Sequence, residues 1–357
     1  MVHSIQIRSQ QRKSYNKPIE HFSLKPAILL VNHPPGLEFV CTCGAFTHER
    51  EVPYRCVFLY NFVRKQSNLL WRKMTNLSPV SVTEAKTPGG IFFRKTQTPT
   101  SKATLALIMG YGGSLRIWPT SFIETLAQKY VVITYDNRGT GLSVTPERSE
   151  DYSVKSMSED FAEVLHVVGS KSHHVLGYSM GSCIALQYAH DNQESVRSLF
   201  LMCGTAGGAL FVKPEREMSN ALANPQGASL WDIYVSTWKL MFAPEALERC
   251  RPKFEQIYEN SKLLPTKLVA LAGHSHAFRG FDGSEFIADL EIPTTILAGA
   301  DDRLMPVDNS KNLANHIAAS RLILIDNCEH GPHVQDEELV VEAIESTCDG
   351  ADAKLPV

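Results

Sequence analysis

The sequence predicts an α/β protein, with a mostly parallel, doubly wound sheet and a helical segment inserted late in the chain. From about residue 88, short β-branched runs alternate with stretches of helical period. That alternation is typical of βαβ units, in which helices cover both faces of a parallel sheet. The alternation pauses from residue 204 to residue 290 and then resumes, which indicates an insertion between two sheet strands.

The predicted elements follow one another in a regular order. An edge strand is expected at residues 91–96. The buried strands expected after it are TLALIM (104–109), VVITYD (131–136), HHVLGY (173–178), VRSLFLM (196–202), PTTILAG (293–299) and RLILID (321–326). The predicted divisions of the chain are an N-terminal extension (1–87), a first core part (88–203), a helical lid (204–290), a second core part (291–348) and a C-terminal tail (349–357).

The N-terminal extension differs in composition from the rest of the chain. Its first 19 residues contain no acid and are rich in Ser, Gln, Arg and Lys, as organellar transit peptides are. A poorly ordered extension and a true start at Met74 both account for this segment, and neither is favoured. An organellar location is the weaker alternative to a cytoplasmic one.

Composition excludes several classes of function. The net charge of −3 and the charged fraction of 20% give no sign of a nucleic-acid or membrane partner. No apolar run reaches the roughly 18 residues that a spanning helix needs. The eight cysteines are scattered, and Cys41 and Cys43 have no second pair at a zinc-like spacing. We therefore expect no metal and no cofactor, a cytoplasmic location and either a monomer or a homodimer.

The strongest chemical signal is Gly177-Tyr178-Ser179-Met180-Gly181, a G-x-S-x-G sequence between a predicted strand and a predicted helix. A serine at the tip of so sharp a turn has a strained backbone, and glycines two residues away avoid a clash. Such a turn lifts the hydroxyl above the sheet. Ser179 is therefore the candidate nucleophile.

An oxyanion hole needs two convergent N–H groups. The N–H of Met180, at the start of the helix, is one candidate. The glycine-rich turn after TLALIM offers the other, the N–H of Tyr111, and its neighbours Gly110 and Gly112 are expected to contact substrate. A phosphate-binding loop is disfavoured because neither GxGxxG nor a following GK[ST] is present.

A serine nucleophile needs a base, and the base needs an orienting acid. Asp302 follows the strand at 293–299 and is the preferred acid, with Asp301 as the alternative. His330 follows the last strand and is the preferred base. His333 is the alternative base, and it is also expected to line the substrate pocket.

Taken together, residues 88–348 resemble the α/β-hydrolase superfamily, within it the small esterases and lactonases around 3-oxoadipate enol-lactonase and the pimeloyl-ester carboxylesterases. The matching stretches are LIMGYGGSLRIW, YDNRGTGLS, GYSMGS, IPTTILAGADDRLMP and the His330 loop. The resemblance implies Asp302 as the acid and a structural role for Arg138. Two positions depart from the family pattern, Met109 in place of His and Glu329 in place of Gly. A carboxylate beside the base favours its charged form and predicts an unusual pH optimum.

The resemblance implies hydrolysis of a carboxylic ester or lactone through an acyl-enzyme on Ser179. The substrate is expected to be a small to medium, partly apolar molecule that contacts Trp231 and Trp238 of the lid. Packing of the lid onto the core explains those aromatic residues equally well. The alternatives are hydrolysis of a carbon–carbon bond, acyl transfer, or a ligand receptor with little turnover.

Overall fold

The computed structural model describes residues 27–29, 41–43 and 77–353, and the chain divides into two units, residues 1–75 and 76–357. In the first unit, strands β1 (Ala27–Leu29) and β2 (Cys41–Cys43) pair antiparallel. Residues 1–26, 30–40 and 44–76 lie outside the described part of the chain, so the expectation that the extension is poorly ordered or not native stays a prediction there. The second unit contains all of the other described helices and strands.

The second unit is built on an eight-stranded sheet with the order β10–β9–β8–β7–β5–β6–β4–β3. The strands are β3 (Ser81–Lys86), β4 (Phe92–Gln97), β5 (Ala103–Ile108), β6 (Tyr130–Tyr135), β7 (His173–Tyr178), β8 (Val196–Met202), β9 (Thr294–Gly299) and β10 (Ser320–Ile325). Strands β5 to β10 are parallel to one another, and β4 and β3 pair antiparallel at one edge. The predicted α/β class is confirmed.

The prediction of an edge strand at 91–96 is wrong in one respect. Strand β4 occupies that place in the sequence but lies between β3 and β6, so β3 is the edge. Every residue of β3 is exposed, which explains why no apolar alternation marked it as a strand. Because β3 pairs along its whole length with β4, the core begins before residue 87, the predicted end of the extension.

Helices cover both faces of the sheet. The described helices outside the insertion are α1 (Thr120–Ala127), α2 (Val154–Val167), α3 (Met180–Asp191), α9 (Asp308–His316), α10 (Pro332–Gln335) and α11 (Glu337–Asp352). On one face, residues of α2, α3 and α9 form one apolar core with Ala106 and Ile108, and on the other, residues of α1 and α11 form a second core with Leu105 and Leu107. Alternate residues of β5 thus enter opposite cores, as the pleat of a strand requires.

The insertion between β8 and β9 is helical, as predicted. Its helices are α4 (Arg216–Ala223), α5 (Leu230–Trp238), α6 (Pro244–Arg249), α7 (Arg251–Ser261) and α8 (Leu268–Arg279). It has an apolar cluster of its own, formed mainly by Trp238, Phe242, Phe254 and Ile257. Along the described residues, no helix is both long enough and apolar enough to cross a membrane.

The order of the sheet determines where a ligand site forms. Strand β5 lies between β6 and β7, so the chain leaves β5 toward one side first and returns to the other side later. Crevices form at such switch points, outside the carboxyl ends of the strands. The glycine-rich turn follows β5 and Ser179 follows β7, so both candidate elements meet at this crevice.

Arg138 is a structural residue of the loop after β6. Its Nε donates to Asp160 Oδ2 at 2.6 Å and its Nη2 to Asp160 Oδ1 at 2.8 Å, which ties the loop to helix α2. Further donors reach the carbonyl oxygens of Asp151 and Ser156. The two paired side chains are only 17% and 13% exposed, so the ion pair is largely removed from water.

We predict that Asp160→Asn destabilises the fold. The change leaves the charge of Arg138 without its partner in a largely buried position, which should lower the free energy of unfolding by about 2 kcal/mol. Urea unfolding followed by circular dichroism measures this quantity. Asp151→Asn, which breaks the exposed Arg148–Asp151 pair, is the matched control and should change little. Equal losses in both variants would contradict the assignment.

Candidate active site

The candidate active site is built around a sharp turn at Ser179, between β7 and α3. Ser179 has φ 54° and ψ −124°, a conformation that side chains other than glycine rarely adopt. A Cβ atom on Gly177 would overlap the carbonyl group of Gly181, and one on Gly181 would overlap that of Ile108. The turn therefore has the geometry that the G-x-S-x-G sequence predicts, and both glycines are needed for it.

The structure brings Ser179, His330 and Asp302 together in one hydrogen-bonded chain. His330 Nε2 lies 3.0 Å from Ser179 Oγ, and His330 Nδ1 lies 2.8 Å from Asp302 Oδ2. Asp302 accepts through its carboxylate, so Nδ1 carries the proton and Nε2 presents its lone pair to the serine hydroxyl. His330 and Asp302 are 2% and 4% exposed, which shields the chain from competing water.

The loop after β9 explains why Asp302 rather than Asp301 is in this position. Asp302 Oδ1 accepts hydrogen bonds from the N–H groups of Leu304 and Met305, at 3.0 and 2.8 Å. These bonds fix the carboxylate and leave Oδ2 for His330. Asp301 is exposed, and its N–H donates to the carbonyl oxygen of Cys328.

His333 does not take the place of the base. Its ring is buried at the start of α10, 4.6 Å from the ring of Tyr178 and 5.1 Å from that of Trp118 between centroids. Burial lowers the pKa of His333 to about 3, so the ring is neutral. These contacts give His333 a packing role, and the expected contact with substrate stays a prediction.

Within the described part of the chain, the two candidate oxyanion donors are free to bind a ligand, and their role in stabilising an oxyanion stays a prediction. Met180 is the first residue of α3, so its N–H has no carbonyl partner within the helix. The N–H of Tyr111 likewise has no protein acceptor among the described residues. Gly110 brings the two elements together, because a Cβ atom at this position would lie 2.9 Å from Ser179 Cβ. Its contribution is this close approach, and its contact with substrate stays a prediction.

Gly112 is bonded to the insertion, and its expected contact with substrate stays a prediction. Its N–H donates to Nδ1 of His274 at 3.1 Å, and its carbonyl oxygen accepts from Thr266 Oγ1 at 2.7 Å. Both partners belong to the insertion. The backbone polar groups of Gly112 are therefore bound by protein.

Trp231 and Trp238, expected to contact substrate, lie in an aromatic cluster within the insertion. Their ring centroids are 5.7 Å apart, Trp231 lies 4.8 Å from Tyr258, and Trp238 lies 4.8 Å from Phe254. Packing of the insertion accounts for both side chains. Their role in binding substrate stays a prediction.

Two contacts that support the base loop have no signal in the sequence. The hydroxyl of Tyr178 donates to the carbonyl oxygen of His330 at 3.0 Å, and the N–H of His330 donates to the carbonyl oxygen of Met241 at 3.0 Å. Gly331 lies directly against the ring of Phe242, which leaves no room for a Cβ atom. The base loop is thus held by the core on one side and by the insertion on the other.

Glu329, the departure from the family pattern beside the base, is partly neutralised. Its carboxylate lies 3.5 Å from Nη2 of Arg303, and burial raises the pKa of the Glu329 carboxyl. The nearby charge of Arg303 opposes the field that an isolated carboxylate would impose on the base. The predicted unusual pH optimum stays a prediction.

One cluster of potential metal ligands occurs in the described residues, and it is part of this same site. Ligand atoms of Cys203, Asp302 and His330 lie within 4.8 Å of one another. Burial, and next the charge of Asp302, raise the pKa of the Cys203 thiol well above its ordinary value. A protonated thiol is a poor metal ligand, and both nitrogens of His330 already have partners. The hydrogen-bonded chain accounts for the cluster.

We predict that Gly110→Ala slows labelling of Ser179 by a fluorophosphonate, because the new methyl group would lie 2.9 Å from Ser179 Cβ. A displacement of this kind near the reacting atoms costs a factor of about 100 in rate. Intact-mass spectrometry over time measures the labelling rate. Gly350→Ala, at a position with nothing within 4 Å of the added atom, is the control. An unchanged rate in Gly110→Ala would contradict the geometry.

Comparison with known proteins agrees with the fold. A family model described as the alpha/beta hydrolase fold matches residues 104–337. The protein named "Putative carbamate hydrolase RutD" from Azorhizobium caulinodans is 30% identical over 239 residues, which are 62% of this chain and 82% of that protein.

Two solved structures share the fold at low sequence identity. The esterase RhEst1 from Rhodococcus sp. ECU1013 has a TM-score of 0.62 at 21% identity, over 75% of this chain and 98% of its own. The enol-lactonase from Burkholderia xenovorans LB400 has a TM-score of 0.63 at 17% identity, over 74% and 99%. Because the family model spans more than half of the chain, this protein belongs to the α/β-hydrolase fold family and is a hydrolase.

Proposed function

We propose that this chain is a serine hydrolase that cleaves a carboxylic ester or lactone of a small to medium, partly apolar molecule. The observation that carries the proposal is the chain of hydrogen bonds from Ser179 through His330 to Asp302, at 3.0 and 2.8 Å. The strained turn that presents Ser179 to the crevice adds to it. Serine hydroxyls that have only a structural role do not need this arrangement.

In the first half of the reaction, His330 Nε2 takes the proton of Ser179 as its oxygen attacks the substrate carbonyl carbon. The negative charge that develops on the carbonyl oxygen is stabilised by the N–H groups of Tyr111 and Met180. Asp302 stabilises the positive charge on His330 and keeps its ring oriented. The protonated His330 then donates its proton to the leaving alcohol oxygen, the carbon–oxygen bond breaks, and an acyl-enzyme remains.

In the second half, water replaces the alcohol. His330 takes a proton from water, the hydroxide attacks the acyl carbon, and the same two N–H groups stabilise the second oxyanion. Collapse of this intermediate returns the proton to Ser179 and releases the carboxylic acid. A lactone gives one product, a hydroxy acid, because its alcohol and acyl group belong to the same molecule.

A carbamate is the second candidate substrate, and the 30% identical relative named as a carbamate hydrolase favours it. The residues around Ser179 support the same steps with a carbamoyl group in place of the acyl group. The carbamate nitrogen donates electron density to the carbonyl carbon, so both attacks are intrinsically slower than on an ester. The esterase and enol-lactonase neighbours share only the fold, so they do not decide between the two classes.

We predict that Ser179→Ala abolishes both fluorophosphonate labelling and ester turnover. Loss of the nucleophile in a serine–histidine–aspartate system lowers kcat on the order of 10⁶-fold. Intact-mass spectrometry and hydrolysis of para-nitrophenyl butyrate are the two measurements. Ser219→Ala, an exposed serine in α4, is the control and should match the unchanged protein. An adduct on the Ser179→Ala protein, or turnover within about tenfold of the original, would overturn the proposal.

We predict that the protein prefers an ester to the carbamate of the same shape. Para-nitrophenyl butyrate and para-nitrophenyl N-ethylcarbamate differ only by a CH₂ group in place of N–H, and kcat/KM for the two is the measurement. A site without a group dedicated to that N–H should favour the ester, whose carbonyl is more reactive. A site that hydrogen-bonds the N–H would reject the ester by a factor of up to about 10⁴. A higher kcat/KM for the carbamate would make carbamates the favoured substrate class.

A further inference from the structure

His274, on helix α8 of the insertion, is a histidine outside the Ser179–His330–Asp302 chain. It is fully buried, and both of its ring nitrogens have backbone partners in the core. Nε2 lies 2.9 Å from the carbonyl oxygen of Arg138, and Nδ1 lies 3.1 Å from the amide nitrogen of Gly112. The ring therefore joins the insertion to the loop after β6 and to the loop after β5.

The two partners fix the tautomer of His274. A carbonyl oxygen can only accept, so Nε2 carries the proton that is shared with Arg138. Nδ1 is then the acceptor for the N–H of Gly112. Burial lowers the pKa of His274 to about 4, so the ring stays neutral and keeps its acceptor nitrogen near neutral pH.

The bond to Gly112 acts on a tight turn that contains a candidate oxyanion donor. The N–H of Gly113 donates to the carbonyl oxygen of Gly110 at 3.2 Å, which closes a turn with Tyr111 and Gly112 at its centre. Gly112 has φ +64° and Tyr111 does not have a positive φ, which makes this a type II turn, whose second central residue requires a positive φ. The carbonyl of Gly110 and the N–H of Tyr111 belong to one planar peptide group and point in opposite directions. The turn that His274 holds therefore sets the direction of the Tyr111 N–H.

Thr266 holds the same turn from a second point of the insertion. Its hydroxyl donates to the carbonyl oxygen of Gly112 at 2.7 Å, so both backbone polar groups of Gly112 are bound. Gly112 also lies so close to Leu271 that an added Cβ would come within 2.6 Å of its Cδ2 atom. The turn is thus fixed by two hydrogen bonds and by close packing.

Helix α8 is closely packed where it carries His274. Its buried residues Ala270, Gly273, His274 and Ala277 form a single stripe at helical spacing. A Cβ atom on Gly139 would lie 2.5 Å from that of Ala270, and one on Gly273 would overlap the ring of Tyr152. Small residues in this stripe let the helix approach the core closely, so His274 is held rigidly.

We infer that His274 is a positioning residue of the oxyanion hole, through which the inserted helices hold the Tyr111 N–H in its catalytic direction. The inference rests on the proposed function, because it assigns the role of a loop of that same site. The hydrogen-bond partners of His274 are backbone groups of Arg138 and Gly112, not Ser179. It acts through Gly112, and its loss should lower kcat more than it changes KM.

Two substitutions at residue 274 separate its two hydrogen bonds. His274→Asn places an oxygen where Nδ1 was, so it keeps the acceptor for Gly112 and loses the donor to Arg138. His274→Gln places an amide nitrogen near the position of Nε2, so it keeps the donor and loses the acceptor. The measurements are kcat and KM for para-nitrophenyl butyrate, the rate of fluorophosphonate labelling and the thermal unfolding midpoint. His276→Gln, an exposed histidine on the same helix, is the control.

We expect His274→Gln to lower kcat and the labelling rate by about 100-fold with KM within about threefold, the size of effect that loss of an oxyanion donor produces. His274→Asn should retain kcat within about tenfold of the original protein. The two variants should unfold at similar temperatures, since each loses one hydrogen bond of similar burial. If Gln and Asn lower kcat equally, or in proportion to their loss of stability, the role is structural and the inference is wrong.

Thr266→Val tests the same idea without changing the buried ring. It removes the donor to the carbonyl oxygen of Gly112 from a half-buried position, and a fall in kcat of about tenfold is expected. An unchanged kcat in both Thr266→Val and His274→Gln overturns the inference while turnover by Ser179 stands. Turnover that survives Ser179→Ala overturns the proposed function instead.

Discussion

The active site depends on one constraint, the strained backbone at Ser179. Its φ of 54° is sustained because Gly177 and Gly181 have no side chain that would clash with neighbouring backbone, and because strand β7 and helix α3 fix the two ends of the turn. Gly110 extends the same constraint to the neighbouring loop, which lies against Ser179 itself. Close packing of three glycines thus determines the distance between the nucleophile and the Tyr111 N–H. Larger side chains at any of them would separate groups that must converge on one carbonyl.

The insertion contributes to this convergence as much as the core does. The carbonyl oxygen of Met241, in the insertion, accepts a hydrogen bond from the N–H of His330. His274 and Thr266, also in the insertion, bind the two backbone polar groups of Gly112. The insertion also meets the region after the acid, where the side chain of Asn309 bonds to both backbone groups of Val212, at 2.8 and 2.9 Å. An element that bonds to the loops after β5 and β10 and to the helix after the acid constrains the geometry of the candidate site. Covering the crevice, the role expected of a lid, stays a prediction.

What the sequence could predict was set by how local each feature is. Ser179, Asp302 and His330 stand at fixed distances from strand ends, so strand patterns and glycines are enough to place them. The contacts of Tyr178 with His330 and of His274 with Gly112 join residues 152 and 162 positions apart, and no spacing rule links them. Strand β3 was missed for a different reason, because all of its side chains are exposed and carry no apolar alternation. The sequence leaves the role of Trp231 and Trp238 open, since aromatic residues that pack together look the same as residues that bind a ligand.

The aromatic cluster also limits what the insertion can tell about the substrate. Trp238 and Phe254 are buried within the insertion, while Trp231 packs against Trp238 and is only partly buried. The free energy of burying the Trp238 and Phe254 side chains stabilises the insertion and is not available to a ligand. The large aromatic residues stabilise the insertion, and the insertion in turn bonds to Gly112 and His330. Under the proposed function, a hydrogen bond between the site near Ser179 and a substrate N–H would separate carbamates from esters. Such a bond discriminates more strongly than apolar contact with one extra methylene group.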